Sequence, residues 1–231
     1  PYWFTEEGNT LHLSAAAPCS AATLPSGRGE VISGLQKYLP HLKSVASTLV
    51  TGFADGSGLV EAPALLLGGG GMARGGPAIP TGGEPLAENV SFRNLIGAEQ
   101  ADIIGLLAEE RRKVAAKFGV RDLPDTQNWL DIHAGMAAGA GRRAVPTREQ
   151  SHKILRDAAI GSLEPLISAA RVAGCEAKLT ESMLTMISAA LGTDLAPAGR
   201  RLETVGVTAI DIDDARRVMD RIAAGHITGG S

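Results

Sequence analysis

Histidine, aspartate and glutamate are the side chains best suited to moving a proton near neutral pH. The chain carries five histidines, and His133 keeps the most suggestive company. It shares a short segment with Trp129 and Asp131, so an aromatic ring, a carboxylate and an imidazole can lie together against a substrate. Asp157 stands in the most apolar stretch of the chain, Ile154 to Val172. A carboxylate buried there needs a partner, and Lys153 at i,i+4 can provide one on a helix surface. His12 falls in an expected strand, His41 follows a helix-ending Pro40, and His226 lies in the tail. No HExxH or comparable spacing occurs, so no metal site is expected. Cys19 and Cys175 are the only cysteines and form no CxxC pair; they read as small buried hydrophobes in a reducing, cytoplasmic setting. Gly68 to Gly71 lack both the lysine of a phosphate-binding loop and the GxGxxG spacing, so close backbone packing or a loop is the expectation there.

The elements that must position these groups fall into two stretches. Only 12 of the charged residues (Lys+Arg 22, Asp+Glu 25) lie in 1–97, against 16 of the 29 glycines. Residues 1–97 are therefore expected to be strand- and loop-rich and to pack against something else, while 98–231 reads as a helical bundle. Strands are expected over 10–16 and 44–50. A helix over 26–39 would turn Val31, Leu35 and Leu39 inward, with Ile32 and Tyr38 beside them. Beyond residue 98, Ile103, Leu107, Val114 and Phe118 share one helix face, with Gly119 as its stop. Asp125 or Thr126 caps a short helix through His133. Thr147 and Gln150 form a capping box that opens the long apolar helix through Val172. Thr180 is expected to cap the next helix, with Met183, Leu184, Ile187 and Leu191 inward, and Asp211 or Asp213 the last.

The fold class expected is mainly α. A net charge of -3 gives no basic footprint for nucleic acid. No apolar run reaches about 18 residues, so no membrane span is expected, and a cytoplasmic protein is the reading.

Five segments, in order, resemble the octopine/nopaline (opine) dehydrogenase family. Pro1-Tyr2 is similar to the LPYA(C)R segment that ends its nucleotide-binding domain, and Thr10 to Pro25 to the passage that follows. AEERRKVAAKFG (108–119) resembles the family's D-x-E-R-x-x-I-A-x-x-L-G helix. Residues 152–179 look like its E-D-V-P-x-G-L-V-P-L passage, and 192–207 like its G-R-T-L-x-x-L-G ending. The resemblance implies a helical bundle of the opine dehydrogenase and 6-phosphogluconate dehydrogenase C-terminal type. It also implies NAD or NADP, bound mainly by a separate Rossmann-type domain or chain, a small amino-acid, keto-acid or alcohol substrate, and an oligomer. The dinucleotide itself is not expected to bind this chain.

The family's proton donor is a histidine in H-P-x-x-x-L-L-N, oriented by an aspartate. Here the matching stretch reads Glu61-Ala62-Pro63-Ala64-Leu65-Leu66-Leu67-Gly68, with Ala62 in the histidine's place. Asp157 falls on the family's aspartate, and His152 on an arginine that anchors a substrate carboxylate. The resemblance thus implies Asp157 in the pocket with His152 or Glu61 as acid/base, burial raising the pKa of Glu61. On one continuous helix His152 and Asp157 point about 140° apart, so they can share a pocket only if the helix starts near Leu155. His133 and Trp129 are the candidate substrate contacts. The alternative is a non-catalytic helical assembly subunit that has lost the family's histidine.

Overall fold

A computed structural model describes residues 2–7, 10–15, 19–68, 91–135 and 143–226, the first two segments by backbone alone. Pro1, Gly69 to Gly71, the Gly-rich stretch through residue 90 and the tail from residue 227 lie outside the described residues, as does the side chain of His12. The protein is mainly helical, with a short lead-in containing strands.

The lead-in pairs β1 (Tyr2–Glu7) with β2 (Thr10–Ala15) as an antiparallel hairpin, Tyr2 opposite Ala15. Next, β3 (Cys19–Ala21) runs parallel to β4 (Leu42–Ser44), with α1 (Gly29–Leu35) between them. The expected inward face of α1 is corrected here. Ile32 is its only buried residue, whereas Val31, Leu35 and Tyr38 are exposed. A pair of three-residue strands covers only about one side chain of helix surface.

The expected strand over 44–50 is also corrected. β4 ends at Ser44, and Ser47 opens α2 (Thr48–Ala54). Leu49 and Phe53, four residues apart, both turn toward one apolar cluster. Helical spacing with something to pack against overrides the strand preference of a β-branched run.

α3 (Ser57–Leu67) occupies the stretch that includes the Glu61 segment. Leu59, Val60, Ala62, Ala64 and Leu65 are all buried. The helix persists through Pro63, which removes a backbone donor, because a helix apolar on every side belongs inside a bundle. It packs against α4 (Ala98–Lys117), α5 (Thr126–His133), α6 (Arg148–Ala158) and α8 (Lys178–Leu191). Residues 1–97 are expected to pack against something else, with Ala64 to Leu67 short of cover alone; Ala64 and Leu65 are buried and Leu66 and Leu67 partly buried against the chain's own core.

Side-chain oxygens set the helix starts. Asp125 accepts from Asn128 N at 2.7 Å, and Asp211 from Asp214 N at 2.8 Å, opening α9 (Ile212–Ala223). Thr147 and Gln150 cap α6 reciprocally, as their spacing suggests. α8 differs: Thr180 lies inside it, and its start is held by Glu110 of α4. That carboxylate accepts Leu179 N and Thr180 N, each at 2.9 Å, and the Thr180 hydroxyl at 2.8 Å.

After α6 the chain makes a π turn over Ala159–Leu163 and continues as α7 (Glu164–Val172). Gly58 of α3 lies against this turn so closely that a Cβ would come within 2.8 Å of Ser162 Oγ. Two apolar clusters result. One surrounds α3 and takes Ile104 and Leu107 of α4. The other gathers Phe53, Leu166, Val218, Val114 further along α4, and Phe118 just past its end. Arg111 is on the same buried face of α4, at the seam between them.

Candidate functional site

Glu61, His133 and Arg143 meet where α3, α5 and the segment before α6 come together. Each is largely buried, with side-chain exposures of 15%, 15% and 11%. Arg143 Nη1 donates to Glu61 Oε1 at 2.8 Å and also to the His133 carbonyl. The guanidinium lies over the Phe92 ring, 4.0 Å from its centroid. His133 Nδ1 is 3.8 Å from the same Glu61 oxygen, an ion-pair separation longer than a formed hydrogen bond.

The electrostatics of Glu61 run opposite to the expectation. Burial does push its pKa upward and is the largest single influence, but His133 and Arg143 together outweigh it. The carboxyl lies below its ordinary value of 4.5. Glu61 is therefore a stable carboxylate, not a carboxylic acid held ready to donate.

α5 is fixed by Trp129, one turn before His133. The indole is fully buried, donates Nε1–H to the Ala54 carbonyl at 2.8 Å, and carries the Arg112 guanidinium 5.1 Å from its centroid. Gly56 makes this seat possible. A Cβ there would fall 2.4 Å from Trp129 Cδ1 and 2.9 Å from His133 Cδ2. With its ring enclosed, Trp129 positions His133. The imidazole itself lines a cleft of about 280 Å³ with Cys19, Thr51, Ala54 and Asp55. Neither cysteine is fully buried, and both are free thiols.

His152 and Asp157 are not brought together. α6 starts at Arg148, capped by Thr147, so the late start near Leu155 that a joint pocket requires does not occur. Asp157 is exposed and His152 half-buried on another side of the helix. Ala62, in the place of the family's histidine, faces the core with no exposed surface.

Arg143 and Arg111 escaped the sequence reading for different reasons. Arg143 meets Glu61 across 82 positions of chain, which leaves no local pattern. Arg111 was open to reading, since it falls four residues after Leu107 and three before Val114, on the face assigned to the core. No three His, Cys, Asp or Glu side chains gather as metal ligands among the described residues. No helix among them is long and apolar enough to cross a membrane. No family model matches the chain, and no curated protein matches it.

Proposed function

We propose that the chain is the helical substrate domain of an NAD(P)-dependent oxidoreductase of the opine dehydrogenase type, with Glu61 and His133 as its proton-transfer pair. The observation that carries this reading is a histidine lining a cleft, His133, with the Glu61 carboxylate 3.8 Å from its Nδ1. The resembled family uses a histidine oriented by an aspartate; here a histidine and a glutamate would fill these roles from different positions. His133 gives or takes a proton at the cleft, and the Glu61 carboxylate behind it orients the imidazole. The 3.8 Å separation must shorten when substrate closes the site, as acid/base contacts in empty sites commonly do.

The described residues do not fit a dinucleotide. Among them one strand-to-helix turn is glycine-rich, between β3 and α1. It reads Gly27-Arg28-Gly29-Glu30-Val31-Ile32, with isoleucine where the third small residue belongs. Its helix has seven residues and carries Glu30 in the first turn, which repels phosphate. The cofactor is accordingly assigned to a separate Rossmann-type domain or chain, and the chemistry derived for this chain stops at proton transfer.

A second reading, a non-catalytic assembly subunit, is favoured by Arg143. Its contacts to both Glu61 and the His133 carbonyl are what a structural clamp would make. The test is isolation of the protein under native conditions, native mass spectrometry, and an assay of NAD(P)H oxidation with mixtures of 2-oxo acids and amino acids. The first reading expects an attached nucleotide-binding domain or chain. It also expects turnover that falls about 10²–10⁴-fold in His133→Ala. An assembly that carries no nucleotide-binding domain or chain and shows no turnover leaves the second reading in possession.

A further inference from the structure

Arg111 is buried to 2% exposure, yet it forms no ion pair with a carboxylate among the described residues. Its one hydrogen bond of ordinary length is Nη2 to Ser162 Oγ at 2.7 Å. The Gly52, Phe53 and Ser162 carbonyls stand farther off, at 3.4–3.5 Å, and Nε has no partner at all. Asp55 acts on it only through the field, its oxygens being taken by the backbone N–H and hydroxyl of Ser57. A charge so placed is costly unless something compensates it. The last carbonyls of α2 do part of this, as a helix C-terminus favours a cation.

The Arg111 side chain also lines a half-open cavity of about 170 Å³ between α2, α4, the π turn and α7, with Met219 of α9. Leu49, Phe53, Phe118 and Leu166 make its walls apolar, and Gly52 and Gly161, both exposed, stand at its rim. An engineered apolar cavity of about 150 Å³ takes a benzene ring, so the space suits a chain or ring of about six carbons.

We infer that this cavity is a binding site for a small carboxylate with an apolar body, its carboxylate on the Arg111 guanidinium. The inference does not depend on the dehydrogenase reading. The site lies across α2 from His133: Gly52 and Phe53 line the cavity, whereas Thr51, Ala54 and Asp55 line the cleft. The π turn is what brings Ser162 opposite Arg111, and π turns recur at functional sites. A guanidinium presents paired donors that match a carboxylate, here in exchange for the long contacts to the Gly52, Phe53 and Ser162 carbonyls, and the apolar walls favour an anion with an apolar body over a strongly hydrated one such as phosphate.

The test is calorimetric titration of the 231-residue chain with hexanoate, hexan-1-ol and inorganic phosphate. Hexanoate is expected to bind one to one, at least about tenfold tighter than hexan-1-ol, the minimum a charge-assisted pair contributes. Phosphate is expected to give no heat beyond dilution. Arg111→Met removes the charge while keeping the volume. Gly161→Leu fills the space from the rim, where a Cβ meets nothing within 4 Å. Each is expected to weaken hexanoate about tenfold or more with an unchanged circular dichroism spectrum. Should Arg111→Met fail to fold, Gly161→Leu decides. Absent hexanoate binding, equal binding of the alcohol or of phosphate, or undiminished binding in either folded variant overturns the proposal.

Discussion

A carboxylate shared by a guanidinium and an imidazole stays ionised against its own burial, and that has consequences in acid. The pKa of Glu61 is lower in the folded protein than its ordinary value of 4.5. Its contribution to stability is therefore fully present above that value and is lost as pH falls through the lower, folded one. Glu61→Gln is expected to cost about 1.5–3 kcal/mol at neutral pH, the range for hydrogen bonds to charged groups. The gap between variant and parent should narrow as pH drops below 4.5, with urea unfolding at pH 7 and at pH 3 as the measurement. Gly56→Ala tests the seat of His133 separately. Gly56 has a φ of -102°, which alanine adopts without strain, so the cost is purely the collision with Trp129 and His133. Overpacking of this kind costs about 1–3 kcal/mol and should change the near-ultraviolet dichroism of the indole. Only part of this site was legible in the sequence. His133 and Trp129 stood out because they share eight residues of helix, and Glu61 through its place in the resemblance. Their meeting depends on Arg143, which arrives from a distant segment and leaves no mark in local spacing.

Helix starts show where reading by residue type holds and where it stops. Thr147 and Gln150, and Asp125 and Asp211, were legible because cap and capped amide are three residues apart. Thr180 looked like the same signal, but its hydroxyl serves Glu110 from α4 instead. A cap contributed by another helix satisfies the same unpaired amides without any local motif. Glu110→Ala is expected to cost about 2 kcal/mol, the upper end for a lost cap, because two amides and a hydroxyl lose their acceptor together. Hydrogen exchange should quicken at the amides of Leu179 and Thr180 before it does at the middle of α8. An unchanged exchange pattern would mean that water replaces the carboxylate at no cost. The π turn was likewise beyond sequence reading, because periodicity counts residues in turns of 3.6 and cannot register one wider turn.

At the scale of the molecule, the question is what holds the bundle together across residue 97. Composition divides the chain there, since charge is sparse before it and ordinary after it. The packing nevertheless runs through that point. α3, from the charge-poor part, is surrounded by α4, α5, α6 and α8 from the other. The helix is hidden in the sequence because four glycines follow it and set it in the part expected to be strand- and loop-rich, while the burial that sustains it is a property of the assembled bundle. Leu59, Val60 and Leu65 are essentially without exposed surface, and burying each such side chain contributes about 1.5–3 kcal/mol. Losing all three removes a sum comparable to the whole stability of a domain, about 5–15 kcal/mol. A polypeptide of residues 98–231 is therefore expected to keep helical dichroism but lose cooperative thermal unfolding and to bind a hydrophobic dye, as loosely packed helical states do. One of residues 48–231, which restores α2 and α3, is expected to unfold in a single sharp transition. A sharp transition in the shorter polypeptide, near that of the full chain, would show that α3 is a guest in a bundle already complete without it.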